Sequence, residues 1–206
     1  MLERAKAATG YERWTAVEYA RFADDLVILV DSHPRQQWLR QAVEKRLREE
    51  LAKLQVEVNE EKSRKVDLEQ GESFGFLGFE YRRIRNRRGR WMPLLLPKGK
   101  KRTELLGKLK EIFRSSRSQP VGGVIEKINP ILRGWVQYFA IGHASRCFSY
   151  IRDWVEKKIR RHLARACQRR GFGWKRWGRE WLYKTIGLFS EYRVSYRPSN
   201  SAVAPV

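Results

Sequence analysis

The sequence has few of the residues that build cross-linked or zinc-centred sites. Its 206 residues include two cysteines and three histidines, and Cys147 and Cys167 lie twenty positions apart in what reads as one helix. At about 1.5 Å per residue, that separation is far beyond the reach of a disulfide. The histidines are isolated, and no Cys or His pair has zinc-site spacing. These absences exclude a disulfide scaffold and predict a reducing, cytoplasmic location.

Long apolar runs and negative charge are also scarce. No run approaches the roughly 18 residues of a spanning helix, and residues 1–10 lack the apolar core of a signal peptide, so we expect no membrane partner. The 44 Lys and Arg exceed the 23 Asp and Glu, which gives a net charge of +21. Such a charge disfavours compaction unless a polyanion neutralises it. Interleaved with it are eight Trp, eight Tyr and nine Phe. Because aromatic rings stack on bases, nucleic acid is the predicted partner.

One pair of adjacent carboxylates stands out. Asp24 and Asp25 lie between an aromatic-rich run at 17–22 and an apolar run at 26–30. This pattern predicts a strand, a tight turn and a strand, with the pair at the tip of the hairpin. Hard oxygen ligands on a rigid turn suit Mg²⁺, whereas the alternative is an ordinary solvated acidic turn. The apolar flanks favour a buried strand whose tip is held firmly.

The same residues carry a family resemblance. The segment Phe22-Ala23-Asp24-Asp25 resembles the aromatic-Ala-Asp-Asp box of reverse transcriptases, and residues 21–29 look like the version in group II intron reverse transcriptases, which more often have Tyr at position 22. The resemblance implies that Asp24 and Asp25 are catalytic Mg²⁺ ligands in a two-metal nucleotidyl transfer. It also implies that Phe22 and Ala23 lie at the nucleotide or primer.

Two further positions follow from this resemblance. Lys62, in a Lys-Ser pair, resembles the family's Lys-Thr or Lys-Ser box and would lie near primer or nucleotide phosphates. Gly78, within Phe-Leu-Gly-Phe, resembles the strand beneath the primer end. A solvated lysine in a loop is the alternative for Lys62. A glycine inside an apolar strand otherwise marks a bulge or a close backbone approach.

Patterning predicts an α+β chain. We expect a partial antiparallel palm sheet with a packed helix over residues 1–96, an all-α thumb or maturase bundle over 97–197, and a disordered tail over 198–206. The predicted strands flank the carboxylates and lie at 55–58, 65–68, 73–83 and 91–96. The predicted helices lie at 1–10, 34–53, 101–115, 121–140, 145–170 and 175–188.

The helical half carries a second resemblance. Residues 129–139, Asn-Pro-Ile-Leu-Arg-Gly-Trp-Val-Gln-Tyr-Phe, look like the hallmark of the group II intron maturase domain. Trp135 and Phe139 are four apart, which predicts core positions, and Gly134 is expected to allow close helix packing. Cationic residues predicted to contact RNA through its phosphates are Arg133, Lys157, Lys158, Arg160, Arg161, Arg169, Arg170, Lys175 and Arg176.

The resemblance implies the C-terminal half of a group II intron-encoded RNA-directed DNA polymerase and maturase from a mobile element. Its implied partners are intron RNA, a DNA primer or target, and a separate N-terminal half. No Asp precedes Asp24, so the further catalytic carboxylate that a reverse transcriptase needs is missing and activity alone is not expected. The alternatives are a non-catalytic RNA-binding maturase fragment that aids splicing and a decayed reading frame.

Overall fold

The chain divides into two compact units, and the division along the sequence falls between residues 66 and 67. The structure is a computed structural model, and it describes residues 2–8, 10–11, 14–171 and 173–195. Each unit has its own buried core. We describe the two in turn.

The first unit is built around an antiparallel hairpin. Its elements are α1 (Leu2–Ala8), β1 (Gly10–Tyr11), β2 (Trp14–Thr15), β3 (Val17–Phe22), β4 (Asp25–Val30), a 3₁₀ turn (Pro34–Gln36) and α2 (Gln37–Lys53). Strand β1 pairs with β2, and β3 pairs with β4, in two separate two-stranded sheets. Val17 on β3 is fully buried against Leu39 and Val43 of α2, and Ile28 and Val30 of β4 complete this small core.

The second unit combines a three-stranded sheet with a helical bundle. Its elements are β5 (Ser73–Phe76), β6 (Phe79–Arg85), β7 (Trp91–Pro97), α3 (Gly99–Ser115), α4 (Val121–Tyr138), α5 (Ser145–Ala166) and a π-helical turn (Trp181–Thr185). The sheet is antiparallel, in the order β5-β6-β7. Leu109, Ile128, Leu132, Ile151 and Ile159 from the three helices are all fully buried.

An aromatic cluster joins the sheet to the bundle. Phe79 of β6 lies edge-on to Phe139, with ring centroids 4.9 Å apart. Trp135 contacts the same Phe139 ring at 4.4 Å and Phe148 of α5 at 6.0 Å. Tyr138 donates a hydrogen bond to the carbonyl oxygen of Leu77 at 2.9 Å. The base of the sheet is therefore anchored in the bundle core.

The α+β prediction is confirmed at the level of small antiparallel sheets with several helices. A single palm sheet is not formed by the described residues, because β3 and β4 lie in a different sheet from β5, β6 and β7. The palm-and-thumb arrangement therefore stays a prediction. The predicted boundary near residue 97 differs from the division after residue 66. The predicted tail at 198–206 lies outside the described residues.

Several local predictions were wrong. Residues 55–58 and 65–68 form no strand. Each run of alternating residues is short, and neither segment pairs with a strand of the described sheets. The backbone therefore continues there as turns and extended chain. The run at 73–83 is two strands, because Leu77 and Gly78 both have positive φ, 48° and 77°, and reverse the chain. The predicted helix at 175–188 is reduced to the π-helical turn.

Candidate nucleic-acid interface

The predicted carboxylate pair lies at the tip of the β3–β4 hairpin. Ala23 and Asp24 form the two-residue turn, and Asp25 is the first residue of β4, paired with Phe22. Ala23 has φ 50°, and its carbonyl oxygen accepts a hydrogen bond from the Arg21 Nε at 3.0 Å. Both carboxylates are exposed. The prediction of a hairpin tip is therefore confirmed in its backbone.

The strand after the carboxylates is less buried than predicted. Because side chains alternate along a strand, Phe22, Asp25, Val27 and Leu29 share one face of the hairpin. Phe22 is 63% exposed and Leu29 is 45% exposed. The opposite face, with Val17 and Ile28, packs on α2. The apolar run therefore has two sides. One side faces the core, and the other is apolar but exposed to solvent.

The other predicted nucleotide and primer residues lie in different units. Lys62 is exposed in a turn of the first unit, where its backbone N–H donates to the Asn59 side chain at 3.1 Å. Gly78 lies in the second unit, in the turn between β5 and β6, and its carbonyl oxygen accepts from the Lys98 N–H at 2.9 Å. Its positive φ, rather than a bulge, accounts for the glycine.

The donor chemistry at the hairpin tip fits Mg²⁺ only in part. Two adjacent carboxylates are the number that Mg²⁺ takes when substrate phosphates and water fill its other positions. Among the described residues, no group of three or more His, Cys, Asp and Glu is placed to hold a metal ion. A closed protein cage for a cation is thus not formed in this part of the chain.

Most of the predicted RNA-binding cations lie at the surface of the second unit. Arg133 is exposed on α4, and Lys157 and Arg161 are exposed on α5, where Lys158 is half-buried. The remaining exposed members lie beyond α5, and they are Arg169, Arg170, Lys175 and Arg176. Their solvent access is compatible with the predicted role.

Arg160 is the exception, because its side chain is 1% exposed. Its Nη1 donates to the Glu156 carboxylate at 3.1 Å, and its Nε donates to the Trp177 carbonyl oxygen at 2.9 Å. The Trp174 ring lies 4.2 Å from the guanidinium carbon. These partners use the guanidinium inside the protein, so Arg160 positions the segment after α5 and is removed from the set that we propose to contact RNA.

Glu156 is the centre of this buried network. Its carboxylate accepts from Arg160, from the Arg179 Nε at 3.0 Å and from the Tyr183 hydroxyl at 2.5 Å. Burial alone raises the pKa of Glu156, but hydrogen bonds from Tyr183, Arg160 and Arg179 outweigh it, so the pKa lies below the ordinary value. Burial and the bond to Glu156 raise the pKa of Tyr183. The network ties residues 177–183 to α5.

Four cations from two helices gather on one side of the bundle. Lys110 of α3 and Lys158, Arg161 and Arg165 of α5 form what we call the α3–α5 face. On α5 these cations follow i, i+3 and i+7 spacing, which places them on one side of the helix. Sequence reasoning left Lys110 and Arg165 out, although this spacing marks Arg165. Lys110 has no such signal, because it lies on α3, and only the fold shows that α3 is a neighbour of α5.

The cations of this face influence one another electrostatically. Partial burial, and then the charges of Arg161, Lys110 and Arg165, lower the pKa of Lys158. Its Nζ lies 5.1 Å from the centroid of the Trp154 ring. Within the described residues, no ion pair to a carboxylate is formed by Lys110, Lys158 or Arg165. An anion placed here would relieve the mutual repulsion of the cations.

The positive charge is divided very unequally between the two units. Residues 1–66 contain 13 Lys and Arg against 12 Asp and Glu, whereas residues 67–206 contain 31 against 11. No helix among those described is both long enough and apolar enough to span a membrane. The helical bundle and its cationic surface define a class of basic helical domains suited to polyanions.

Comparison with known families makes this class specific. Residues 102–183 match the model of the group II intron, maturase-specific domain. This match agrees with the second resemblance, and it indicates a function in group II intron splicing through binding of the intron RNA. The match covers most of α3, all of α4 and α5, and the chain as far as Tyr183. No curated protein matches the chain.

Proposed function

We propose that this chain binds group II intron RNA through the second unit and promotes folding of the intron for splicing, with the α3–α5 face as a principal phosphate-binding surface. The observation that carries the proposal is the placement of Lys158, Arg161 and Arg165 on one side of α5. Partial burial, and then the charges of Arg161, Lys110 and Arg165, lower the pKa of Lys158 in agreement with it. Like charges held close together in the free protein gain most from a ligand that neutralises them. The concentration of basic residues in the same unit supports the choice of a polyanion.

The test is RNA binding by a charge-deletion variant at several salt concentrations. In the triple variant Lys158→Ala, Arg161→Ala and Arg165→Ala, we expect weaker binding of a folded group II intron transcript. The slope of log affinity against log salt should fall by about three, since each phosphate contact contributes about one. A matched control removes three exposed cations of the first unit, through Arg35→Ala, Arg40→Ala and Lys45→Ala, and should leave the slope nearly unchanged. Equal slopes for the wild type and the α3–α5 variant would refute the proposal.

A second candidate function is specific to the acidic hairpin. We propose that Asp24 and Asp25 contribute Mg²⁺ ligands to nucleotidyl transfer, in a reverse transcriptase whose remaining motifs come from another polypeptide segment. The strained turn at Ala23, adjacent to the pair, supports this proposal, because left-handed non-glycine residues concentrate at functional sites. Bound there, Mg²⁺ would stabilise negative charge on phosphoryl oxygens. The exposed Phe22 beside Asp25 supplies an apolar surface for a nucleotide or primer.

Paramagnetic Mn²⁺ in place of Mg²⁺ tests the ligand role directly. We expect the ion to broaden the amide signals of residues 22–26, and we expect Asp24→Asn with Asp25→Asn to abolish the effect. Asp31→Asn is the matched control. The Asp31 carboxylate accepts a hydrogen bond from the His33 N–H at 3.2 Å, and we assign it no role at the metal. In a complemented polymerase, Asp24→Asn should abolish Mg²⁺-dependent primer extension. Extension that survives Asp24→Asn would reject the assignment.

A further inference from the structure

The connection between β6 and β7 is rich in arginine. The last residue of β6 and the turn after it, residues 85–90, read Arg-Asn-Arg-Arg-Gly-Arg and precede Trp91, and we call them the arginine loop. The loop lies outside the segment that matches the maturase-specific domain. Its four arginines are exposed, and within the described part of the chain none of them is ion-paired. The ion pairs of this hairpin lie nearer its base, at Arg82 with Glu80 and at Arg83 with Glu69.

The backbone of the arginine loop is held by Asn86. The Asn86 side-chain oxygen accepts from the N–H groups of Arg88 at 2.9 Å and Arg90 at 3.0 Å. The Asn86 carbonyl oxygen accepts from Gly89 at 2.9 Å, and the Asn86 N–H donates to Arg90 at 2.8 Å. These bonds use the loop backbone and leave the side chains of Arg87, Arg88 and Arg90 exposed. The loop is therefore preorganised, and less entropy is lost when a ligand binds.

An aromatic ring lies beside the loop. Arg85 is paired with Trp91 across the hairpin, and the guanidinium carbons of Arg83 and Arg85 lie 4.9 and 4.8 Å from the Trp91 ring centroid. On the same face of β6, Phe79 is buried in the bundle core. The base of the hairpin is thus fixed, while its tip presents planar cations stacked on indole.

We propose that the arginine loop is a second RNA-binding element. It binds phosphates of the intron RNA at a site separate from the α3–α5 face. This inference rests on the proposed function, since it assumes that RNA is the polyanion. Arginine forks match phosphate oxygens bidentately, and guanidinium planes also stack on bases. A loop that inserts into a membrane would carry apolar side chains at its tip, and residues 85–90 include none.

The experiment compares two triple variants of the full chain. The loop variant is Arg87→Ala, Arg88→Ala and Arg90→Ala, and the face variant is Lys158→Ala, Arg161→Ala and Arg165→Ala. Binding of a folded group II intron transcript is measured against salt, together with a backbone-cleavage footprint on the RNA. We expect the loop variant to lower the salt slope by about three. It should also expose RNA nucleotides that differ from those exposed by the face variant.

The two variants distinguish failure of the loop inference from failure of the proposed function. If the loop variant binds like the wild type while the face variant is weakened, the loop inference is wrong and the proposed function stands. If neither variant changes binding, both are wrong. Vesicles of phosphatidylcholine and phosphatidylglycerol form a further arm. Loss of vesicle binding with unchanged RNA binding would overturn the proposal in favour of an acidic lipid surface.

A charge-neutral variant separates preorganisation from charge. Asn86→Ala removes the acceptor of the Arg88 and Arg90 N–H groups but leaves every arginine in place. We expect weaker binding with a nearly unchanged salt slope, because the phosphate contacts remain while the ordering cost rises. The variant also guards against misfolding in the triple variant. Wild-type binding by Asn86→Ala would contradict a preorganised loop.

Discussion

Ala23 holds a backbone conformation that an alanine adopts at a cost. Its φ of 50° brings the Cβ close to the following carbonyl, which costs about 1–2 kcal/mol in a residue other than glycine. A two-residue hairpin turn with positive φ at its first central position normally has glycine there. The Arg21 side chain braces the turn by donating to the Ala23 carbonyl oxygen. The strain lies in the residue directly before Asp24.

This strain predicts that Ala23→Gly stabilises the first unit, by about 1 kcal/mol, because glycine adopts positive φ freely. The matched control is Ala20→Gly on β3, where the backbone is an ordinary strand and the same change should destabilise by about 0.5–1 kcal/mol. Hydrogen exchange of the β3 and β4 amides reports both free energies. Destabilisation by Ala23→Gly would show that the turn is not strained.

Glu156 predicts a pH-dependent contribution to the stability of the second unit. Its pKa is lowered in the folded protein, so its stabilisation is fully present above the ordinary glutamate pKa of about 4.3 and is lost as the pH falls through the lower folded value. Glu156→Gln should cost about 3 kcal/mol at pH 7, since Arg160 loses its buried partner. The difference from the wild type should shrink below about pH 4.

Urea denaturation followed by helical circular dichroism at both pH values measures the effect of Glu156→Gln. Glu180→Gln is the control, because its ion pair with Lys184 is exposed and is worth less than about 1 kcal/mol. A cost for Glu156→Gln that is independent of pH would contradict the assigned network.

Single residues show where sequence reasoning succeeded and where it failed. Trp135 and Phe139 were predicted to be core positions from their spacing, and their rings lie within the bundle cluster. The close packing expected at Gly134 is wrong, because a Cβ there would meet nothing within 4 Å. Arg160 looks like its cationic neighbours on α5 in sequence. Its burial depends on Glu156 and on the Trp177 carbonyl, and the latter is provided by a distant segment.

At the scale of elements, helices were predicted more accurately than strands. The predicted helix at 101–115 is found at Gly99–Ser115, and the one at 121–140 is found at Val121–Tyr138. Their apolar residues recur with a helical period, which is a local signal. The division of residues 73–83 into β5 and β6 depends on positive φ at Leu77 and Gly78, and the continuous apolar run does not reveal that turn.

The segment after the π-helical turn depends on a side chain of α4. The Asn129 amide nitrogen donates to the Gly187 carbonyl oxygen at 2.8 Å, and its oxygen accepts from the Phe189 N–H at 2.9 Å. Asn129 therefore holds this segment against α4. The Asn-Pro that opens the maturase hallmark is explained in part by this structural role.

We expect Asn129→Ala to loosen that segment while α4 stays folded. Each backbone group that loses its partner costs about 1–3 kcal/mol if it stays buried. The Phe189 amide should exchange its hydrogen faster, and amides in the centre of α4 should be protected as before. Gln137→Ala, an exposed substitution on the same helix, is the control and should change neither. Unchanged exchange at Phe189 would refute this role of Asn129.

At the scale of the whole molecule, the carboxylate hairpin and most of the excess positive charge lie in different units. The first unit carries the carboxylate hairpin and nearly balanced charges, whereas the second carries the maturase-specific match and most of the excess positive charge. The balance between Lys and Arg and acidic residues is visible in the sequence. The sequence did not show that this change in charge coincides with the structural division after residue 66, because the predicted boundary lay near residue 97.

This separation predicts that the second unit alone accounts for RNA binding. A fragment of residues 67–206 contains the larger core and 31 of the 44 Lys and Arg. It should fold and should bind a group II intron transcript with nearly the salt slope of the full chain, since the slope counts phosphate contacts. Asp24→Asn in the full chain should leave binding unchanged. A fragment that is helical by circular dichroism but has lost half of the slope would show that phosphate contacts extend into the first unit, and the two-part assignment would then fail.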